Sequence, residues 1–234
     1  MSPFESAGKR SSLRRAGASM ALLLTTVWLA SCTDGRSYNQ AICALIDVSG
    51  TYADEKAEVA SILKRDVLPA MEPGDTLLVI RIDSGSYEKD NLEALVTFDA
   101  RPSHANAQKL ALARRLDAFA AEAGTSDYTD ILGAMLLGAE YLREIEAESR
   151  VMLVFSDLEQ DLPAGAKRKI ESGEFDGIQV VAMNVKRLSG DNADPDYFRG
   201  RLARWEGQVL GGGAAGWRSI MDAAQLPVHL AQLR

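Results

Sequence analysis

Short apolar runs that alternate with amphipathic stretches are the feature that most limits how this chain can fold. The runs at residues 41–46, 76–82, 151–155 and 178–183 are strongly apolar, which is typical of strands buried on both faces of a sheet. Between these runs, apolar residues recur every three or four positions, the period of a helix with one buried face. This alternation predicts an α/β fold, a doubly wound, mostly parallel sheet flanked by helices.

The periodic stretches also indicate where the individual elements lie. Helices are expected at 105–123, at 130–147, at 195–210, from about residue 224 to the end, and around Val59, Ile62, Leu63 and Val67. Two further strands are expected at 92–98 and 217–221, the second at an edge of the sheet. The polar segment 83–91 is expected to be an exposed loop.

Residues 1–31 have the composition of an export signal rather than of a folded domain. Lys9, Arg10, Arg14 and Arg15 precede an apolar segment at 21–30. That segment is shorter than the roughly 20 apolar residues that a membrane-spanning helix needs. We therefore expect residues 1–31 to be removed on export.

The end of this segment, Leu-Ala-Ser-Cys32, resembles the lipobox of bacterial lipoproteins. The resemblance implies that Cys32 is acylated and becomes the N-terminus, with residues 32–40 as a short tether to the membrane. Because Thr33 rather than an acid follows the cysteine, the sorting rule of lipoproteins implies the cell envelope and favours the periplasmic face of the outer membrane. An ordinary signal peptide with an incidental cysteine is the alternative.

The remaining residues, 41–234, are expected to form one globular domain. The chain is 47% hydrophobic and 25% charged, close to the averages of soluble domains. Its formal charge of −7 becomes −10 when the signal, with four basic residues and one acid, is removed. Binding to nucleic acid or anionic lipid is therefore not expected. Cys43 lies in an apolar run and is expected to be a core residue, so no disulfide is predicted.

Oxygen-bearing side chains follow the predicted strands in three separate loops. They are Asp47, Ser49 and Thr51 after the first strand, Thr129 before a helix, and Asp157 after the strand at 151–155. The carboxyl ends of parallel strands meet at one edge of a sheet, where ligands bind in such folds. Because hard divalent cations take oxygen ligands, these positions predict a cation site, with Mg²⁺ preferred and Mn²⁺ or Ca²⁺ as alternatives.

The small number of carboxylates in this set indicates what the ion would bind. Asp47 and Asp157 are its only charged members, so few of the oxygens that the protein offers to a divalent ion are anionic. Such an ion takes a further anionic oxygen, which a carboxylate of a protein partner can supply. A helix cap and a turn are the alternative explanation for Asp47, Ser49 and Thr51, because these residue types are favoured there without any metal.

These positions resemble the metal-ion-dependent adhesion site of the von Willebrand factor A domain family, in which Asp-x-Ser-x-Ser is followed by a Thr and then an Asp. Asp47 and Ser49 match directly, Thr51 replaces the second serine, Thr129 matches the threonine, and Asp157 matches the distal aspartate. The resemblance spans residues 41–234. It implies an adhesion-type module that binds a protein partner through the metal, not an enzyme.

Two features depart from the family pattern. Leu158 stands where the family usually has a glycine after the distal aspartate, and Thr125 is a rival for the role of Thr129. Thr129 is preferred because it stands at a helix start with the Ile and Gly-Ala that normally follow. Of the neighbouring residues, Glu159 and Asp161 are expected in a solvated loop, and Tyr52 and Tyr128 are expected either at the rim of the site or in the core.

Two other functions fit parts of the pattern. Asp47-x-Ser-Gly-Thr51 also resembles the loop Asp-x-Asp-Gly-Thr of the haloacid dehalogenase superfamily, which implies a phosphatase with Asp47 as nucleophile. Ser49 then stands where that superfamily has the aspartate that protonates the leaving group, so the general acid is missing. A scaffolding lipoprotein with the same fold and a metal-free site is the other alternative.

Overall fold

The computed structural model describes residues 39–50, 52–123, 125–188, 190–191 and 194–234. The strands are β1 Gln40–Asp47, β2 Thr76–Ile82, β3 Leu92–Thr97, β4 Ser149–Phe155, β5 Ile178–Met183 and β6 Gly216–Ile220. They form a six-stranded sheet in the order β3-β2-β1-β4-β5-β6. Every neighbouring pair is parallel except β2 and β3. The predicted fold class, a doubly wound and mostly parallel sheet, is confirmed.

Helices cover both faces of this sheet. They are α1 Lys56–Ile62, α2 Pro102–Ala121, α3 Ile131–Glu144, α4 Pro195–Gly211 and α5 Leu226–Gln232. α1 continues through a π-helical segment, Leu63–Val67, into a short 3₁₀ turn, Leu68–Ala70. Within the described ranges, no helix combines the length and the apolar character that crossing a membrane requires.

Strand β1 is buried along its whole length and separates two apolar layers. Ile42, Ala44 and Ile46 belong to the layer that contains residues of α1, α2 and α5. Ala41, Cys43 and Leu45 belong to the layer that contains residues of α3 and α4. This alternation is the period of two that a strand imposes, and because both faces are covered the strand has no polar face.

Cys43 is a core residue, as the sequence indicates. Its side chain is fully buried and unpaired with any cysteine that the structure describes. Burial among apolar groups raises the pKa of its thiol, because the charged thiolate loses its solvation. The thiol is therefore an inert packing group.

The element boundaries differ from the predicted ones for local reasons. α2 begins at Pro102, ahead of its apolar repeat, because proline is favoured in the first turn of a helix. α3 begins at Ile131 because the side chain of Asp130 caps it by accepting a hydrogen bond from Gly133 N. That helix ends at Glu144, since the next residue is extended.

The segment 83–91 is less exposed than predicted. Ser86 and Asn91 are buried. Asn91 Nδ2 donates to the carbonyl oxygen of Gly85 at 2.9 Å, and Ser86 Oγ donates to that of Asp83 at 3.0 Å. The loop closes on itself through these bonds, which the polar composition of the segment does not reveal.

The register of β1 and β4 positions the loops that carry the candidate site. These two strands are parallel neighbours, and Ile46 pairs with Phe155. The next residues, Asp47 and Ser156, therefore stand side by side at the carboxyl edge of the sheet. This edge lies where the chain, having built one half of the sheet, starts the other, the usual position of a binding site in such folds.

Candidate metal centre

Asp47, at the end of β1, is a fully buried aspartate whose hydrogen bonds come from neutral groups. Its Oδ1 accepts from Ser49 N at 2.8 Å, and its Oδ2 accepts from Ser156 Oγ at 2.6 Å. Burial raises the pKa of this carboxyl and the charge of Asp157 adds to the rise, while the hydroxyls of Ser156 and Ser49 oppose it. A cation placed here would restore the electrostatic stabilisation that burial removes.

The buried hydroxyl of Ser49 is a second candidate ligand in this loop. Its Oγ lies near the Asp47 carboxylate, yet it forms no well-directed hydrogen bond with the residues that the structure describes. A buried hydroxyl without a partner costs free energy, about 1–3 kcal/mol. An oxygen that coordinates a metal ion has no such deficit, so this atom fits a cation ligand.

Asp157 approaches the same place from β4 and is almost fully buried. Its Oδ1 accepts a hydrogen bond from Glu159 N at 2.9 Å. Ser156 joins the two acidic loops, because its Oγ donates to Asp47 and accepts from Leu158 N at 2.9 Å. Ser156 is not among the site residues that the sequence predicts, although it stands directly before Asp157.

Thr129 is held between these two loops. It pairs with Asp161 in both directions, its N donating to Asp161 O at 2.7 Å and its O accepting from Asp161 N at 3.1 Å. On the other side, Ser126 forms a parallel bridge with Ser49. The structure therefore brings Thr129 to the edge that carries Asp47, Ser49 and Asp157.

Thr125, the rival of Thr129, lies elsewhere. It is exposed and lines a polar cavity of about 390 Å³ together with Lys56 and Arg81. Thr129, by contrast, is buried. This placement favours Thr129 as the threonine of the site.

Two of the residues that the sequence singles out do not belong to the described ranges. Thr51, the expected third ligand of the first loop, and Cys32, the expected lipidation site, both lie outside the described residues.

The helix-cap explanation of the first loop also concerns Asp47 and Ser49, which the structure describes. α1 begins at Lys56 without a capping side chain, whereas Asp47 makes a turn bond to Ser49 N, so the turn is present and a cap by Asp47 or Ser49 is not.

Asp130, next to Thr129, is a buried aspartate with a structural partner. Arg168 donates to its Oδ2 from Nη2 at 2.7 Å and from Nε at 3.0 Å. Its other oxygen caps α3. Since this charge is already balanced, Asp130 is not a candidate ligand, and Arg168 serves Asp130 rather than Asp47.

The two tyrosines that flank the site in sequence differ in burial. Tyr52 is completely buried in the layer beneath α1 and α2, and its hydroxyl reaches Asn184 O at 3.4 Å. Tyr128 is 38% exposed. Tyr52 is thus a core residue, while Tyr128 is available to a partner at the surface.

The donor set as a whole is poor in charge. Within the described ranges, no three His, Cys, Asp or Glu side chains are grouped so that they could hold a metal ion. What the edge offers is two buried carboxylates, Asp47 and Asp157, with the hydroxyl of Ser49 beside Asp47 and Thr129 nearby. Hard oxygen donors of this kind fit Mg²⁺, which keeps several waters when it binds to proteins.

Comparisons with known proteins agree with this fold. No family model matches the chain, and no curated protein sequence matches it. Its structure is similar to the pilus adhesin SpaC from Lactobacillus rhamnosus GG in the open conformation, with a TM-score of 0.51 at 13% identity, over 84% of this chain and 30% of that one. The chain thus spans less than a third of the adhesin.

Two further solved structures show weaker similarity. A von Willebrand factor type A protein from Catenulispora acidiphila has a TM-score of 0.47 at 15% identity, over 84% of this chain and 42% of that one. The conserved hypothetical protein BatB from Bacteroides thetaiotaomicron has a TM-score of 0.44 at 14% identity, over 83% of this chain and 96% of that one. Identities this low bear on the fold alone.

The class of the protein follows at the level of fold. The strand order, the antiparallel edge strand β3 and the helices on both faces make this a doubly wound, mostly parallel α/β domain, the fold class that the resemblance to the von Willebrand factor A family implied. The fold that the sequence resemblance implied is therefore confirmed. The roles of the individual site residues stay predictions.

Proposed function

We propose that this chain is a binding module that holds a divalent cation, Mg²⁺ or else Mn²⁺ or Ca²⁺, and uses it to capture a carboxylate of a protein partner. The observation that carries the proposal is the buried hydroxyl of Ser49, which has no well-directed hydrogen bond among the described residues and lies beside a buried carboxylate whose pKa is raised. Asp47, Ser49, Thr51, Thr129 and Asp157 are the proposed ligands, directly or through water.

The charge of the site supports a partner carboxylate as the additional ligand. Asp47 and Asp157 supply two negative charges when both are ionised, and the remaining donors are neutral. Even with all five proposed residues bound, an octahedral Mg²⁺ shell keeps a further position, which water or a partner's oxygen fills. Tyr128, exposed next to Thr129, adds the kind of aromatic contact that is enriched in protein interfaces.

The same residues support binding rather than catalysis. Ser49 stands where a phosphatase of the haloacid dehalogenase type has its general acid, and the nearby cation Arg168 is bound to Asp130. SpaC, whose fold this chain resembles, is a pilus adhesin, and a binding role is carried over to this chain as part of the proposal. The proposal includes a location in the cell envelope, with a lipid anchor at Cys32.

Metal-dependent stability tests the cation. A ligand that binds only the folded state, present at a hundredfold excess over its Kd, stabilises that state by about 2.7 kcal/mol, which raises the melting temperature of a domain of this size by roughly 5–10 °C. We expect this rise with millimolar Mg²⁺ or Mn²⁺ for the wild type, and its loss in Asp47→Ala and Asp157→Ala.

Asp75→Ala is the matched control for these variants. Asp75 is as buried as Asp157 but lies before β2, at the other end of the sheet, where it accepts from Gln40 N at 2.8 Å. Its loss should lower the melting temperature and leave the metal-induced rise intact. A wild type that melts at the same temperature with Mg²⁺, Mn²⁺, Ca²⁺ or chelator would leave a metal-free scaffold as the better description.

Partner capture tests the second half of the proposal. A pull-down from envelope extract with the wild type should retain a protein that chelator and Asp47→Ala both release. Esterification of carboxylates in the extract should abolish capture as well, because the metal then loses its anionic ligand. Capture that persists in chelator would contradict metal-mediated binding even if the metal stabilises the domain.

A further inference from the structure

Arg201, on helix α4, is an arginine with no exposed surface, and it lies between two carboxylates from different parts of the chain. Its Nη2 donates to Asp191 Oδ2 at 2.6 Å, and its Nη1 donates to Glu159 Oε1 at 2.8 Å. A buried charge is tolerated only when it is paired in this way. Glu159 is therefore held by α4 and does not belong to a freely solvated loop.

Trp205 lies one helical turn after Arg201 on the same face of α4. Its indole Nε1 donates to the carbonyl oxygen of Leu158 at 2.9 Å. Two side chains of one helix thus hold two consecutive residues, Leu158 by its backbone and Glu159 by its carboxylate. α4 therefore holds the loop that follows β4 directly after Asp157, through the contact of Arg201 with Glu159 and that of Trp205 with Leu158.

Leu158 needs such support because of its backbone conformation. Its φ is +63°, in the left-handed region that leucine rarely adopts. Conformations of this kind persist where the surroundings impose them. Three features impose the conformation here: the burial of the Leu158 side chain, the hydrogen bond from Trp205, and the ion pair between Glu159 and Arg201.

Leu158 and Glu159 in turn orient the candidate ligands. Glu159 N donates to Asp157 Oδ1 at 2.9 Å, and Leu158 N donates to Ser156 Oγ at 2.9 Å. Ser156 Oγ donates onward to Asp47. A shift of residues 158–159 would therefore rotate the Asp157 carboxylate and disturb the link to Asp47.

We propose that Arg201 and Trp205 are positioning residues that act through Glu159 and Leu158 to hold the Asp157 carboxylate in its metal-binding orientation. This inference rests on the proposed metal site. Groups that orient metal ligands without touching the metal typically account for about a 10- to 100-fold change in metal affinity. Loss of either contact, that of Arg201 with Glu159 or that of Trp205 with Leu158, should weaken Mn²⁺ binding by about tenfold or more.

Two variants test the two contacts of α4 with the loop separately. Glu159→Ala removes the contact with Arg201 at a partly exposed side chain, so the domain should stay folded where Arg201→Met could unfold it. Its control is Glu174→Ala, which removes a surface ion pair with Arg143 at similar exposure, 31% against 34%. Trp205→Phe removes the indole donor without changing any charge, and Trp217→Phe, in the same apolar layer, is its control.

Two measurements are made on all four variants and the wild type. Mn²⁺ affinity is measured by titration, and hydrogen exchange of the peptide covering residues 156–161 is measured without metal. We expect weaker Mn²⁺ binding and faster exchange in Glu159→Ala and Trp205→Phe, with neither change in the controls. Because Trp205→Phe alters no charge, weaker binding in that variant cannot come from a lost electrostatic attraction.

The exchange measurement separates this inference from the proposed function. If the wild type binds none of Mn²⁺, Mg²⁺ and Ca²⁺, the proposed function is overturned, and faster exchange in the two variants still supports the contacts that hold the loop. If the wild type binds Mn²⁺ and both variants keep its affinity and its exchange rate, the positioning role is overturned and the metal site stands.

Discussion

Asp47 and Asp130 are two buried aspartates close to the same edge of the sheet, but they differ in what surrounds their charge. Asp130 has an arginine, Arg168, and a helix N-terminus. The described neighbours that bond to Asp47 are a hydroxyl and a backbone amide. Residue type alone therefore does not distinguish the two; the surroundings make Asp47 the better candidate ligand, because its buried charge would gain most from a cation.

Asp130→Asn tests this distinction. The variant loses the ion pair with Arg168 and keeps an oxygen that can cap α3, so the free energy of unfolding should fall by about 1–2 kcal/mol. Urea unfolding measures that loss. The rise in melting temperature on adding Mg²⁺ should remain, and a variant that no longer responds to the metal would make Asp130 part of the site.

Ser49→Asp tests why the site carries a hydroxyl rather than a third acid. An added carboxylate should strengthen Mg²⁺ binding and weaken partner capture, since the ion then has less need of an external anion. Titration with Mg²⁺ and a pull-down measure the two effects. Stronger capture by the variant would argue against the charge-based account of partner binding.

The same serine predicts the absence of phosphatase activity. A serine hydroxyl cannot protonate a leaving alkoxide efficiently near neutral pH, and loss of a positioned general acid costs about 10²- to 10⁴-fold in rate. We expect the wild type to release no measurable phosphate from phosphomonoesters in Mg²⁺. Turnover that disappears in Asp47→Asn would instead make Asp47 a nucleophile.

At the scale of the elements, α3 and α4 differ in how closely they approach their neighbours. Gly138 of α3 lies where an added Cβ would stand 2.9 Å from Cys43 Sγ on β1. At Gly207 of α4, no described heavy atom would come within 4 Å of an added Cβ. The helix α3 therefore packs onto β1 through a missing side chain, whereas the glycine in α4 has no such role.

This difference predicts opposite effects of the same substitution. Gly138→Ala should destabilise the domain by roughly 1–3 kcal/mol, the cost of overpacking a core. Gly207→Ala should stabilise it by about 0.5–1 kcal/mol, because alanine favours the helix interior. Chemical denaturation of the two variants beside the wild type measures both signs, and equal effects would contradict the packing found at Gly138.

At the scale of the whole molecule, the proposed anchor determines where the binding site can act. Acylation at Cys32 would hold an acidic domain near a membrane that its charge does not attract. We expect mass spectrometry of the mature protein to find a diacylated N-terminal cysteine, because two acyl chains suffice for stable anchoring. Cys32→Ser should leave the membrane fraction; a variant that stays there and matures normally removes the lipoprotein proposal.

Much of this architecture follows from local sequence patterns. The apolar runs and helical repeats predicted the strands and most of the helices, because burial imposes a period that each element carries within itself. The placement of Asp47, Thr129 and Asp157 next to those elements predicted that they would share one edge. The family pattern added the expectation of a metal.

The tertiary structure decided what depends on pairs of residues far apart in the chain. The bond from Ser156 to Asp47 and the pairing of Thr129 with Asp161 leave no periodic trace. The contacts of α4 with the loop after β4 leave a weak trace in the sequence. Arg201 lies on the helix face that is otherwise formed by the apolar residues Phe198, Trp205 and Val209. A charged residue at such a position shows that a partner must exist, but only the folded chain supplies Glu159 and Asp191, because periodicity records burial and not contact.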